Sequence, residues 1–147
     1  MAPLPLALLL LRASRWFDRQ LLDRLQERGW PALSPAQSLV FAHLDAQGVP
    51  PAELARRLGQ TRQATADLVR GLVRHDLLAI GANPRRRGGR LVLLTERGQA
   101  LVADAGRLLA ELESAFGDER VTALRALLEP LGERPEVGGD RSTTTSR

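Results

Sequence analysis

The chain has no cysteine and no lysine. The first absence excludes disulfides, thiolate metal sites and thiol-based redox sensing. The second leaves arginine as the only basic side chain besides two histidines. Arginine is the better residue for bidentate contacts to guanine and phosphate. Aromatic residues are also scarce: Trp16, Trp30, Phe17, Phe41 and Phe116 are all there are. His43 and His75 have no i, i+4 partner, and no acidic cluster suggests a metal site. No glycine-rich loop suits a phosphate, and Ser14, Ser34, Ser38 and Ser114 have no adjacent histidine base. These absences argue against an enzyme, a bound metal or a cofactor.

No long hydrophobic run suits a membrane. The Leu-rich start, Leu4 to Leu11, lacks the basic n-region and cleavage site of a signal peptide and is too short to span a bilayer. Its apolar pattern instead continues at helical spacing through Leu6, Leu10, Ala13, Phe17, Leu21 and Leu25. Leu8, Leu11 and Trp16 widen that stripe, as expected for a helix covered on two sides. A cytoplasmic protein is expected.

What is abundant is positive charge in one place. Residues 56–90 hold nine arginines against Asp67 and Asp76, a net +7 in a chain whose total is +4, so the remainder carries −3. Such concentration is expected of a surface that faces a polyanion. At 147 residues the chain is long enough for one domain with a real core.

The same stretch carries a recognisable order of elements. Pro51 to Leu58 reads as a helix, Gly59-Gln60-Thr61 as a tight turn, and Arg62 to His75 as a second helix capped by Thr61. Leu77–Ile80 and Arg90–Leu94 read as the strands of a hairpin with an arginine-rich tip, Arg85 to Arg90. On a helical wheel Ala64, Leu68 and Leu72 face inward, with Thr65 and Val69 at the flank. Arg62, Gln63, Ala66, Asp67 and Arg70 face outward. A helix-turn-helix beside such a hairpin can place the helix in the major groove of duplex DNA and the hairpin on a minor groove or the phosphates.

Around this core lie a first helix over Leu4 to Arg28 and a second that opens on the capping box Ser34-Pro35-Ala36-Gln37, carries Leu39, Val40, Ala42 and Leu44, and ends near Gly48. A fifth helix capped by Thr95 carries Leu101, Ala105, Leu108, Leu109, Leu112 and Phe116. A sixth carries Val121, Leu124, Leu127, Leu128 and Leu131, and ends at Pro130 and Gly132. The expected fold is mainly α: a winged helix-turn-helix with a two-stranded wing and N- and C-terminal dimerisation helices. Residues 1–131 form one domain, with dimerisation helices at 4–28 and 96–131 and a DNA-reading core at 34–95 whose wing is 77–95. Residues 132–147 form a disordered tail. Two-fold symmetry would set two recognition helices about 34 Å apart.

The order and spacing of these pieces resemble the MarR (multiple antibiotic resistance regulator) family of winged-helix transcriptional regulators over roughly residues 4–131. The resemblance is carried by Leu33 to Gln37, Glu53 to Gly59, Leu68 to Leu72, Asn83 to Arg87 and Leu91 to Gly98. It implies a homodimer with interlocked terminal helices. It also implies a sequence-specific regulator, a repressor more often than an activator. Release by a small aromatic effector bound between the dimer helices and the reading head is implied as well. The expected DNA contacts are Thr61, Arg62, Gln63, Ala66, Asp67 and Arg70 on the recognition helix, and Arg85, Arg86, Arg87 and Arg90 on the wing. Trp16 and Phe41 are the effector-pocket candidates. In two places the chain departs from the family pattern. The family wing commonly holds an arginine with an Asp, but the matching positions here are Arg86, Arg87 and Gly88. Asp67 stands where a basic or polar residue is usual. These departures leave two other readings open: a winged helix that binds a protein partner without an operator, and a nonspecific DNA-associated protein.

Overall fold

The computed structural model describes residues 2–132; the expected tail at 132–147 lies outside it apart from Gly132. The elements run α1 (Leu6–Glu27), α2 (Pro35–Ala42), α3 (Pro51–Leu58), α4 (Arg62–Arg74), β1 (Leu78–Ala82), β2 (Arg90–Leu94), α5 (Glu96–Phe116) and α6 (Asp118–Gly132). The described residues fall into two compact units, the first ending at Leu112 and the second beginning at Glu113.

The first unit is built around Val40, Val49, Leu54, Val69, Leu72, Leu77, Leu78, Val92 and Leu101, all buried. A smaller cluster of Leu21, Leu25 and Leu108 joins α1 to α5, and Trp30 packs against both clusters. On α1 the expected stripe splits along its length: Leu21 and Leu25 are buried, while Leu6 is 61% exposed. Leu4, Leu8, Leu9, Leu11 and Trp16 are exposed too.

Helix ends follow the local chemistry. The Ser34 hydroxyl accepts from the Gln37 amide, and the Gln37 side chain accepts from the Ser34 amide, which completes the capping box. Helix α2 stops at Ala42, six residues short of Gly48. Its end tightens into i, i−3 bonds from His43 to Val40 and from Leu44 to Phe41. The freed carbonyl of His43 accepts from Arg57 at 3.0 Å, so an arginine on α3 closes α2. The link after it is also more than a linker. Val49 exchanges both backbone hydrogen bonds with Val92, at 3.0 and 2.8 Å, and adds a single bridge to the wing's inner strand.

β1 and β2 pair antiparallel, Leu78 opposite Leu94 and Ala82 opposite Arg90. β1 lies slightly later than the hydrophobic run suggests, because Leu77 is spent on the core and bonds back to Leu72. Thr95 bridges wing and α5: its hydroxyl donates to the Asp76 carbonyl and accepts from the Gly98 amide. Gly98 is required there, since a Cβ would meet the Leu77 carbonyl oxygen at 2.0 Å.

In the second unit, α6 buries no residue; Leu124, Leu127 and Leu131 are exposed, Leu127 at 71%. Pro130 lies inside the last turn of α6 rather than before its end. Arg125 pairs with Glu113 at 2.7 Å.

Candidate nucleic-acid interface

The turn between α3 and α4 is set by Gly59 in the left-handed conformation, φ +64°, which glycine adopts without steric cost. The Gln60 amide then bonds back to Ala55, and the Thr61 hydroxyl accepts from Ala64 at 3.1 Å as the N-cap of α4. Thr65, Val69 and Leu72 form the buried stripe of α4. Ala64 and Leu68 are only half-buried, so the inward face is turned from the wheel by about one residue. Arg62, Gln63, Asp67 and Arg70 are exposed on the opposite side, and Ala66 is half-buried at its edge.

The outward residues are not independent. Gln63 donates its side-chain amide to Asp67 Oδ1 at 3.2 Å, and Arg70 donates to the same oxygen. An ion pair therefore sits in the middle of the expected reading face.

The wing tip is held by its backbone. Asn83 Oδ1 accepts from the Arg85 amide at 2.9 Å, and the Asn83 amide donates to the Gly89 carbonyl at 2.9 Å. Gly88 takes φ +72° to close the loop. This asparagine turn does the work of the missing acid: it fixes the loop without neutralising an arginine. Arg85, Arg86, Arg87 and Arg90 are exposed.

Ion pairing sorts the nine arginines. Arg56 and Arg57 hold Glu53 from one side of α3, and Arg57 also grips Asp45 through two bonds of 3.1 Å. The hydrogen bonds from Arg56 and then Arg57 lower the Glu53 carboxyl to about 2. Arg70 is paired with Asp67. Arg62, Arg74, Arg85, Arg86, Arg87 and Arg90 have no carboxylate partner among the described residues. The charge count from sequence gives every arginine equal weight. The structure concentrates the unpaired ones at the start and end of α4 and on the wing.

Between α4 and the wing lies an apolar groove of about 790 Å³, floored by Val69, Val73 and Val92 and edged by Arg62, Arg86 and Arg90. A second cavity of about 650 Å³ lies between α1, α2 and α5, lined by Leu11, Leu25, Phe41, Leu101 and Leu109 among others. Of the two effector-pocket candidates Phe41 lines it and Trp16 does not; Trp16 sits edge-on to Phe17 with ring centroids 5.0 Å apart.

Between α5 and the end of α1 is an unforeseen polar node. Asp104, 5% exposed on the apolar face of α5, accepts from Trp30 Nε1 at 2.8 Å, Arg28 Nε at 2.9 Å and Arg107 at 3.0 Å. Arg97 stacks over the Trp30 ring at 5.7 Å. The Trp30 bond, then the arginines, hold the Asp104 carboxyl at about 2 against the opposing effect of burial. The sequence signal for it is an acid in phase with Leu101, Leu108 and Leu112.

His43 and His75 cap the C-termini of α2 and α4. Among the described residues no group of His, Asp and Glu is placed to hold a metal ion, and no helix is long and apolar enough to cross a membrane.

A helix pair with a capped turn, followed by a two-stranded hairpin bridged back to the segment before it, defines a winged helix-turn-helix. Residues 33–87 match the model of the MarR family. The wild-type MarR of E. coli in its apo form is 25% identical, over 88% of this chain and 98% of that one, with a TM-score of 0.68. MepR of Staphylococcus aureus, a transcription regulator of the multidrug efflux pump MepA, is 19% identical over 88% of this chain and 98% of that one, at TM-score 0.60. A point mutant of S. aureus MepR bound to an oligodeoxyribonucleotide is 18% identical over 89% and 99%, at TM-score 0.55. No curated protein matches the chain. Family match and fold together bear out the resemblance read from the sequence: the chain has the winged-helix fold of MarR family transcriptional regulators.

Proposed function

We propose that this protein is a dimeric, sequence-specific DNA-binding repressor that a small aromatic effector releases from its operator. The observation that carries the reading is the distribution of unpaired arginines. Arg62 opens the recognition helix, and Arg85, Arg86, Arg87 and Arg90 crown a wing whose backbone is already fixed. Free guanidinium groups on two adjacent protruding elements suit phosphates and minor-groove edges. The MepR mutant held on an oligodeoxyribonucleotide shows that a protein of this fold binds DNA.

In this reading Thr61, Arg62, Gln63, Ala66 and Asp67 face base edges, while the four wing arginines grip the backbone or minor groove. Arg70, paired as it is, orients Asp67 more than it binds phosphate. Dimer formation would cover the exposed leucines of α1 and α6, an apolar surface unusual for a solitary protein. The effector would occupy the cavity beside Phe41, which is apolar and open at one side.

The test is a mobility shift with the DNA upstream of the protein's own gene, at about 150 mM salt with excess unrelated duplex. A discrete band that survives the competitor is expected, and aromatic acids should then dissolve it. A band abolished by the competitor would favour nonspecific DNA association. No band at low salt would favour a protein-interaction module.

A further inference from the structure

We propose that Asp67 reads cytosine: it is an acceptor-only probe that selects the cytosine N4 amino group at one position of each operator half-site. The inference rests on the operator-reading function above and deepens it. A carboxylate on a surface that faces a polyanion repels every phosphate, so its presence there calls for a specific partner.

The geometry supplies one. Asp67 is the sixth residue of α4, on its outward face, and its side chain is 59% exposed. Gln63 and Arg70 both donate to Oδ1. Oδ2 takes no hydrogen bond among the described residues. The two donors thus lock the carboxylate from both sides along the helix and leave Oδ2 free to accept. Arg70 also offsets much of the charge, which lowers the repulsion from neighbouring phosphates.

An ionised carboxylate can only accept. In the major groove guanine shows N7 and O6, and thymine shows O4, all acceptors that repel it. Adenine pairs its N6 donor with the N7 acceptor beside it. Cytosine alone offers an amino donor without an adjacent acceptor. The same lock orients Gln63. Only the NH2 end of its amide can donate to Asp67, so Oε1 and the second N–H remain for a neighbouring base.

The experiment is selection from a randomised duplex pool, using the full-length wild type, Asp67→Ala and Arg70→Ala. Both substituted positions are exposed, and circular dichroism checks that the variants fold. The wild type should enrich a motif with a cytosine in each half-site. Asp67→Ala should keep the rest of the motif and lose that cytosine, reducing discrimination there by about tenfold. Arg70→Ala should retain the cytosine with weaker discrimination, because Gln63 still holds Oδ1. A motif unchanged by Asp67→Ala would overturn the inference while leaving the operator reading intact. So would the same loss in Arg70→Ala as in Asp67→Ala, since Asp67 would then act only as an anchor for Arg70. A wild type that enriches no motif would remove the operator reading, and this inference with it.

Discussion

Single residues of the same type do different work on this surface. Arg56 is bound to Glu53 within α3 and Arg57 to Glu53, Asp45 and the His43 carbonyl, so Arg57 holds α3 against the end of α2, whereas Arg86 and Arg87 have no carboxylate partner among the described residues. Arg57→Ala should therefore lower thermal stability, because it frees Asp45 and the His43 carbonyl and leaves Glu53 to Arg56 alone. Arg86→Ala should leave stability unchanged and weaken duplex binding. Thermal unfolding checks the first and titration with duplex the second. Thr65 offers a cleaner test of packing. It is 2% exposed, and its hydroxyl has no partner among the described residues. A buried orphan hydroxyl costs about 1–3 kcal/mol. Thr65→Val keeps the shape and should raise unfolding stability by about 1 kcal/mol in urea titration. A loss of stability would mean that the hydroxyl is satisfied. None of this was legible in the sequence, where arginines look alike and Thr65 sits at the flank of a wheel. Pairing depends on which loops return to α3, and spacing within one helix does not report that.

At the scale of elements, helices α3 and α4 and the second wing strand were legible, because a proline start, a left-handed glycine, a threonine cap and an apolar run each act within a few residues. The end of α2 was not. Leu44 continues the apolar pattern past Ala42, and it takes Arg57, from another helix, to satisfy the exposed carbonyl. The Val49 bridge escaped for the same reason: one residue paired across a long sequence gap has no periodicity. Asp104 is the strongest such case. It ties α5 to the end of α1 through Arg28 and to the following loop through Trp30. Its carboxyl is about 2 in the folded protein against 3.8 ordinarily. The unfolded chain therefore binds more protons between these values. The stabilisation is fully present above the ordinary value and is lost as pH falls toward about 2. Asp104→Asn should unfold more easily at neutral pH and lose less stability than the wild type on acidification to pH 3. Parallel denaturant titrations at the two pH values check both signs. Equal acid sensitivity of the two proteins would assign the acid limb to other carboxylates.

For the whole molecule, the exposed leucines and the unpaired arginines pose the same question of what they face. Leu6 on α1 and Leu127 on α6 are the most exposed leucines of their helices, at 61% and 71%. In a homodimer both would be covered. Sedimentation should show a dimer for the wild type and a shift to monomer for Leu6→Glu combined with Leu127→Glu, because a buried unpaired carboxylate opposes association. A wild-type monomer at micromolar concentration would contradict the dimer. The order of the terminal helices around a helix-turn-helix and its hairpin was visible from hydrophobic periodicity. The content of the interface was not, since an apolar stripe does not say whether its own chain or another covers it.

The most direct measurement is the salt dependence of duplex affinity for the wild type and for Arg86→Ala with Arg87→Ala. Each phosphate-neutralising arginine contributes about 0.9 to the slope of log affinity against log salt. The double variant should therefore bind every duplex more weakly, with a slope shallower by about 1.8 for each wing engaged. An unchanged slope would contradict a wing on the phosphates, and with it the DNA-binding role of this surface.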